Sequence, residues 1–332
     1  MDPLSQATFG AAAAALAAPK DRVRQALCVG LVAGAVPDLD VLIRSEEDPL
    51  LNLEFHRNVT HALFFAPFIG GLVALLFRGI FKWELRDILL PAILATLSHG
   101  ILDACTSYGT QLYLPFSNYR ESWDIISIID PIFTLPLTLG ILGALIIQKR
   151  ILARFSFLWA IMYLSFGYIQ RERAESYAAE LAQSRGLTID RLTARPSIAN
   201  VLLWRIIVYS EGTYTVDAVN ITPFKEAKIY EGTRVDSPDL TTYAEPGTRL
   251  AKDIARFDHF SQKYLYELPM ESKTLLGDIR YSMLPNSIAP LWGIAFDSRH
   301  PEQHVDFIEF RDMSKAPLDE FKKMLRGEEL SD

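Results

Sequence analysis

The sequence of 332 residues is poor in cysteine, in basic patches and, over its first half, in charge of either sign. The two cysteines, Cys28 and Cys105, lie in apolar stretches, which favours buried small side chains over a disulfide or metal ligands and leaves the redox compartment open. The formal net charge is −7, and no Lys/Arg-rich stripe with interleaved aromatic residues is present. We therefore expect no nucleic-acid partner, because neutralising phosphates requires a basic surface.

A basic region is also missing ahead of the first apolar stretch, since the chain starts Met1, Asp2, Pro3. We expect no cleavable signal peptide, so the helices of the mature chain must direct insertion. Charges are rare up to about residue 170 and frequent from Glu172 onward, so the overall mean hydropathy of +0.14 conceals a far more apolar first half. The expected fold class is mainly α, with a multi-helix transmembrane bundle over 1–171 and a smaller soluble α+β domain over 172–332.

Runs of about 20 mostly apolar residues, with charges at their ends, predict the membrane-spanning helices. Four such runs are present: Thr60–Phe77, Leu85–Cys105, Ile128–Ile147 and Ile151–Ile169. Two shorter segments, Ala7–Ala18 and Val23–Val36, are predicted to form a helical hairpin that packs on the bundle, with Gly30 and Gly34 allowing close approach. A soluble all-helical core is the alternative, but the runs contain internal prolines, which membrane bundles tolerate better.

Strand and helix patterns predict the mixed structure of the C-terminal half. Two β-branched runs, Trp204–Ser210 and Thr213–Ile221, flank Glu211-Gly212 and predict a β-hairpin. Further strands are predicted at Ile279–Met283, Leu291–Phe296 and Val305–Phe310. Helical periodicity predicts helices at Ala174–Ser184, Leu250–Phe257 and Leu318–Leu325.

Ionisable residues of the membrane half gather at segment ends that share one face, because successive helices alternate in direction. In chain order they are Asp38, Asp40, His56, His61, His99, Asp103 and Asp130. The helical spacing of His99 and Asp103 points both side chains to one side. Asp38 and Asp40 follow Pro37 and are expected in an extended or turn conformation, with both carboxylates on one side. His56 and His61 converge only if His56 lies in the entry loop.

Imidazoles and carboxylates are the ligands expected for Zn²⁺, Mn²⁺ or Fe²⁺, and buried charges near a membrane are costly and usually functional. We therefore predict a divalent metal site, with zinc favoured, formed by Asp38, Asp40, His56, His61, His99 and Asp103. Both pairs of predicted ligands also have a purely structural interpretation. Asp38 and Asp40 could form a turn or cap a helix, and His99 and Asp103 could hydrogen-bond between helices. Asp130 either acts in catalysis or caps a helix that starts at Pro131. Three histidines of the C-terminal half are expected to be surface residues: His259, His300 and His304.

Five motifs of the membrane half stand close to these residues: Asp2–Gln6, Gly34–Asp40, His56–His61, Ser98–Asp103 and Thr106–Thr110. Together they resemble the membrane-bound metal-dependent hydrolase family, also described as YdjM-like, LexA-binding, inner-membrane-associated hydrolases. The resemblance covers about residues 1–170 and implies a bacterial inner-membrane location. Many members carry a histidine where this chain has Gln6. The HxxxD spacing is also similar to that of the zinc-dependent phospholipase C and nuclease superfamily, which suggests phosphoester hydrolysis by analogy.

The functional hypothesis is a membrane-embedded hydrolase of an ester or phosphoester, either a small molecule or a lipid. A metal-bound water of lowered pKa would attack the substrate, and Asp38 or Asp130 would take its proton. Arg57 or Arg120 would bind an anionic substrate group. A metal-binding structural or sensory membrane protein without enzymatic activity is the main alternative. Transport is a third, which ionisable residues at mid-bilayer would favour.

Basic residues in the short loops predict the orientation. Nine lie in the loops of one side: Lys20, Arg22, Arg24, Arg78, Lys82, Arg86, Lys149, Arg150 and Arg154. The opposite loops, about 37–59 and 106–127, hold three: Arg44, Arg57 and Arg120. Cysteine labelling from each side should therefore find positions near Arg78 and Arg150 cytoplasmic and the chain after Arg173 external. Labelling of the C-terminal domain from the cytoplasm would contradict this orientation.

Overall fold

The computed structural model describes residues 1–19, 21–270, 272–310 and 315–330, so Lys20 of the basic loops lies outside the described residues. The chain divides into two compact units. The first comprises Met1–Ile43, Phe55–Tyr168 and Ile198–Asn200; the second comprises Arg44–Glu54, Ile169–Ser197 and Val201–Asp332. A helical N-terminal part and a C-terminal part with two antiparallel sheets agree with the predicted fold class.

Helices form the N-terminal part. They are α1 Pro3–Ala17, α2 Val23–Ala35, α3 Leu51–Phe55, α4 Ala66–Phe81, α5 Leu85–Ala104, α6 Pro131–Ile147 and α7 Arg150–Ser184, with 3₁₀ helices at Val36–Leu42 and Val59–His61. Asp2 caps α1 by accepting from the Ser5 amide at 3.0 Å. Caps of this kind satisfy amide groups that a helix N-terminus leaves without partners.

Within the part of the chain that the structure describes, three helical stretches are long and apolar enough to cross a membrane: Val23–Leu42, Leu85–Ala104 and Arg150–Ser184. Leu51–His61 and Ala66–Ile80 would add a fourth if this pair, bent by 76°, counts as one span. The predicted run at Thr60–Phe77 is therefore not one straight helix, because Pro67 occupies the first turn of α4 and favours a helix start there. The 3₁₀ helix after α2 extends that segment to 20 residues, the length of a span.

The helix predicted at Ala174–Ser184 is the end of α7 rather than a separate element. No proline or glycine interrupts the chain between Ile169 and Ala174, so the helix continues. An ion pair four residues apart supports this stretch, with Arg171 Nη2 2.7 Å from Glu175 Oε1. One 35-residue helix thus carries the chain from the first unit into the second.

Two four-stranded antiparallel sheets form the core of the second unit, each with its strands in sequence order. The first contains β1 Arg191–Pro196, β2 Leu203–Ser210, β3 Thr213–Asn220 and β4 Lys228–Asp236; the second contains β5 Leu265–Leu268, β6 Thr274–Asp278, β7 Trp292–Phe296 and β8 Asp306–Glu309. The predicted hairpin is confirmed, and Glu211 and Gly212 both adopt positive φ, as a two-residue hairpin turn requires. Helices α8 Arg249–Phe260 and α9 Lys315–Arg326 match the predicted ones, and Leu240–Thr242 forms a 3₁₀ helix.

The strand predicted at Ile279–Met283 is wrong, because β6 ends at Asp278. Arg280 folds back on Asp278, with Nη2 2.7 Å from Oδ2, and both side chains are fully buried. The Arg280 amide also donates to Asp278 Oδ1 at 3.1 Å, an Asx turn that bends the chain at Ile279 and ends the strand. The apolar character of this stretch therefore reflects burial and not a strand.

The predicted helical hairpin is confirmed, since α1 and α2 pack at backbone contact through glycine. A Cβ at Gly30 would lie 2.6 Å from Ala11 Cα and 2.7 Å from the Gly10 carbonyl oxygen. Gly10 and Gly34 meet in the same way, with 2.7 Å between a Cβ at Gly10 and Gly34 Cα. Small residues thus let the two backbones touch, as in lipid-embedded helix pairs.

Gly30→Ala should separate these helices and destabilise the protein by about 1–3 kcal/mol, the usual cost of overpacking. The matched control is Gly71→Ala in α4, where an added Cβ meets nothing within 4 Å. That control should melt at or slightly above the wild type, because alanine favours a helix over glycine. Thermal melts in detergent measure both, and a Gly30→Ala protein as stable as the control would contradict the close packing.

Candidate metal centre

Four side chains from three elements converge on one point. Asp38 comes from the first 3₁₀ helix, His61 from the second, and His99 and Asp103 from α5, and one ligand atom of each lies within 4.8 Å of the other three. The Nε2 atoms of His61 and His99 are 2.8 Å apart. Asp103 Oδ2 lies 3.1 Å and 3.9 Å from these two nitrogens, and Asp38 Oδ1 lies 3.4 Å and 3.5 Å from them.

These separations fit one small cation. Zinc binds imidazole nitrogen and carboxylate oxygen at about 2.0–2.2 Å in a tetrahedron, whose ligand atoms then stand about 3.3 Å apart. The five distances above bracket that value. The donor set, two imidazoles and two carboxylates, also suits zinc or another divalent transition metal. The group therefore passes the geometric test for a metal site.

The 3₁₀ helix at Val36–Leu42 separates the two carboxylates that were expected on one side. It turns by about 120° per residue, so side chains two apart point in different directions. Asp38 faces the group of four, whereas Asp40 lies behind His61, with Oδ2 3.2 Å from His61 Nδ1. Thr60 Oγ1 donates to the same Asp40 oxygen at 2.7 Å. Of the extended and turn conformations expected after Pro37, the chain adopts the turn, and the expectation that both carboxylates share one side is wrong.

Both histidines of the group have a partner on the ring nitrogen that faces away from it. His99 Nδ1 lies 2.6 Å from the Gly34 carbonyl oxygen, and a carbonyl can only accept, so Nδ1 carries the proton. Asp40 acts in the same way on His61 Nδ1. Such contacts fix the tautomer and leave Nε2 free to bind a metal.

His56, a predicted ligand, stands outside the group of four. Its Nδ1 lies 2.7 Å from Asp40 Oδ1, and its ring centre is 5.8 Å from that of His61. His56 follows α3 in a loop and His61 ends a 3₁₀ helix, which is the arrangement that allows the two to approach. The structure therefore brings together four of the six predicted ligands and places Asp40 and His56 beside them, with Asp40 linking His56 to His61.

Arg57 supplies positive charge next to the carboxylates. Its Nε lies 3.1 Å from Asp103 Oδ2, and its Nη1 donates to Thr106 at 2.8 Å. The guanidinium also stacks 4.6 Å from the centre of the Tyr108 ring. Arg120 binds backbone instead, donating to the carbonyl oxygens of Gly109 at 3.0 Å and His56 at 3.3 Å.

Asp130 performs the capping role that the sequence left open. Its Oδ1 accepts from the amides of Ile132 and Phe133 at the start of α6, and its Oδ2 accepts from the Tyr163 hydroxyl at 2.8 Å. These contacts direct the carboxylate toward α6 and α7 and engage both of its oxygens. Among the described residues, Asp130 is therefore not part of the group of four.

Gln6 is the site residue that sequence reasoning undervalued. It is fully buried, and its Nε2 donates to Asp103 Oδ1 at 2.8 Å, beside a contact from the Met1 amino nitrogen. Gln6 Oε1 accepts no hydrogen bond from any described residue, and Asp103 Oδ2 lies close to two nitrogens without hydrogen-bond geometry. A buried oxygen that accepts no hydrogen bond is costly, and Asp103 Oδ2, which has only charge contacts, fits a site that takes a cation.

A family model matches this part of the chain: that of the YdjM inner membrane protein family, over residues 1–174. The match covers just over half of the chain and includes all four converging residues as well as Gln6, Asp40, His56 and Arg57. Neither the curated proteins nor the solved structures give a match. The sheets of the second unit lie beyond the matched region.

Gly100 keeps α5 against His61, because a Cβ at this position would lie 2.1 Å from the His61 carbonyl oxygen. Gly100→Ala should therefore push His61 away from His99 and weaken zinc binding at least tenfold. Competition with a chelating dye measures the affinity, and a thermal melt verifies folding. The control is Gly79→Ala in α4, where an added Cβ has open space. A Gly100→Ala protein that binds zinc as well as this control would refute the role of the contact.

Proposed function

The chain belongs to the YdjM inner membrane protein family, and we propose that it is a membrane-embedded, metal-dependent hydrolase. The observation that carries the proposal is the convergence of Asp38, His61, His99 and Asp103 within 4.8 Å. Asp40 and His56 support these ligands rather than complete them. A site of this composition at the ends of apolar helices is expensive to maintain without a function.

Zinc is the proposed ion, with manganese and iron as alternatives. When bound, it would lower the pKa of a coordinated water and polarise the oxygen of the ester or phosphoester. Asp38 is the only member of the group with an appreciably exposed side chain, at 22%, compared with 0% for the other three. It marks the open side of the site. We therefore propose that His61, His99 and Asp103 would hold the ion and leave a position for water, and that Asp38 would accept the proton of that water.

The surrounding residues orient and balance the charges of the site. Asp40 and the Gly34 carbonyl fix the two imidazoles, as described above. Arg57 offsets the charge of Asp103 and, lying next to it, would also attract an anionic substrate group. Asp130 holds the start of α6, so we assign it no direct part in catalysis.

An apolar rim suggests that the substrate is a lipid ester or another amphipathic ester. Leu39, between Asp38 and Asp40, is 59% exposed, and Leu42, two residues after Asp40, is 73% exposed. Val59 and Phe64 flank His61 and are each 47% exposed. Exposed apolar side chains close in sequence to the site residues suit an acyl chain next to a polar ester. From the loop charges, we place the site and the C-terminal domain on the non-cytoplasmic side of the inner membrane.

A structural or sensory metal site is the second candidate. Three of the four proposed ligands are fully buried, as in closed structural zinc sites, and the ion would tie both 3₁₀ helices to α5. Such an ion would stabilise the fold without turnover. Metal content alone therefore does not separate the two candidates, whereas turnover does.

Loss of the ion should abolish hydrolysis. We expect purified protein to hydrolyse a member of a panel of phosphoester and lipid-ester substrates, with a rate that rises through an apparent pKa of about 7 and is lost with a chelator. His99→Ala should lose both metal and activity, whereas His259→Ala, an exposed histidine of α8, should retain both.

Elemental analysis and a thermal melt of the same samples separate catalysis from folding, since metal binding is coupled to stability. Activity that survives chelation or His99→Ala would refute the mechanism. Folded, metal-loaded protein that hydrolyses no substrate of the panel would favour the structural or sensory candidate.

A further inference from the structure

The segment between the ligand-bearing motifs belongs to the second unit. Arg44–Glu54, which we call the strap, is counted with the sheets by its contacts, although its neighbours on both sides belong to the first unit. Fifteen residues separate Asp40 from His56, and the strap makes up most of them. The position of the strap therefore affects two parts of the site, the 3₁₀ helix with Asp38 and the motif that ends at His61.

Arg256 of α8 holds the strap near its middle and at its end. Its Nη1 and Nη2 donate to the two oxygens of Asp48 at 3.1 Å and 2.9 Å, a bidentate pair. Its Nε and Nη2 donate to Glu54 Oε2 at 3.1 Å and 2.8 Å. A fifth bond runs from Nη1 to Asp253 Oδ1 at 3.1 Å. A guanidinium has five N–H donors, and here each finds a carboxylate oxygen.

On α8, Asp253 is itself held in place by contacts with His304 and Val305. The Asp253 side chain is 2% exposed, and its Oδ2 lies 2.6 Å from His304 Nδ1 and accepts from the Val305 amide at 3.3 Å. On the strap, Asp48 also accepts from the Leu50 amide at 3.0 Å, and Leu50 is buried. Isolated surface ion pairs contribute little, but a bidentate pair within an anchored network restricts the chain more strongly.

We propose that Arg256 is a positioning residue for the metal centre, and that the second unit, through the Arg256–Asp48–Glu54 contact, holds the strap so that the motifs at its two ends meet. The inference rests on the metal-binding part of the proposed function. Bringing the ends of a flexible loop together costs conformational entropy, and a loop already fixed elsewhere loses less of it when the metal binds. The second unit therefore increases the affinity of the site for metal, although it supplies none of the metal ligands.

Zinc affinity of the full-length protein in detergent, measured by chelator competition, tests the proposal from both sides of the contact. Arg256→Met keeps the aliphatic stem and removes the donors, whereas Asp48→Asn with Glu54→Gln alters the strap and leaves α8 intact. Each should raise the zinc Kd about tenfold, and the combination should do no more than either, because both remove one interaction. The matched control is Lys252→Met, an exposed cation of the same helix, which should bind zinc as the wild type does.

Hydrogen–deuterium exchange without added metal measures how firmly the strap holds residues 56–62, and this measurement does not depend on zinc binding. Amides of residues 56–62 should exchange faster in Arg256→Met and in the strap variant than in Lys252→Met. If the wild type binds no zinc, the metal site fails, while faster exchange would still show that the strap positions the motif. Unchanged Kd in both variants, or unchanged exchange in a protein that binds no zinc, overturns the proposal.

Discussion

The buried carboxylate of Asp103 is the constraint on which the membrane half depends. It sits at the end of a helix long and apolar enough to span a bilayer and is fully buried, so its charge must be balanced locally. Gln6 of α1 approaches it, as do Arg57 and His61 of the His56–His61 motif, so two distant segments of the chain meet at this carboxylate. The contacts that compensate the negative charge of Asp103 thus join the N-terminal helix, the His56–His61 motif and α5. A bound cation would neutralise the remaining negative charge.

Local backbone geometry then decides which polar residues face the candidate metal position and which ones hold those residues in place. The 3₁₀ turn sends Asp38 toward the metal position and Asp40 to the far side of His61. Gly100 allows α5 to touch the backbone of His61, so the two Nε2 atoms can approach to 2.8 Å. The contacts of Asp40 and the Gly34 carbonyl are on the ring nitrogens that face away from the group of four, which is the arrangement that would preorganise a metal site.

The second unit adds a different kind of control, since it supplies none of the four converging residues. Its proposed influence passes through the strap, whose acidic residues bind Arg256. A site formed by loops at helix ends has little intrinsic rigidity, and an anchored loop reduces the entropy that binding must overcome. On this proposal, a domain beyond the matched family region would contribute to metal affinity in the first half.

Sequence alone determined the composition-driven features. The apolar runs, the Glu211-Gly212 hairpin and the gathering of His and Asp at one side follow from local patterns, because hydrophobic period, turn residues and alternating helix direction are properties of short segments. Only the tertiary structure decided which of the six predicted ligands meet, since Pro37 allowed an extended chain or a turn and the 3₁₀ helix directs Asp38 and Asp40 to different sides. It also decided that Asp130 is a cap, that Gln6 faces Asp103 and that Arg256 holds residues about 200 positions away, because these contacts depend on packing between distant segments.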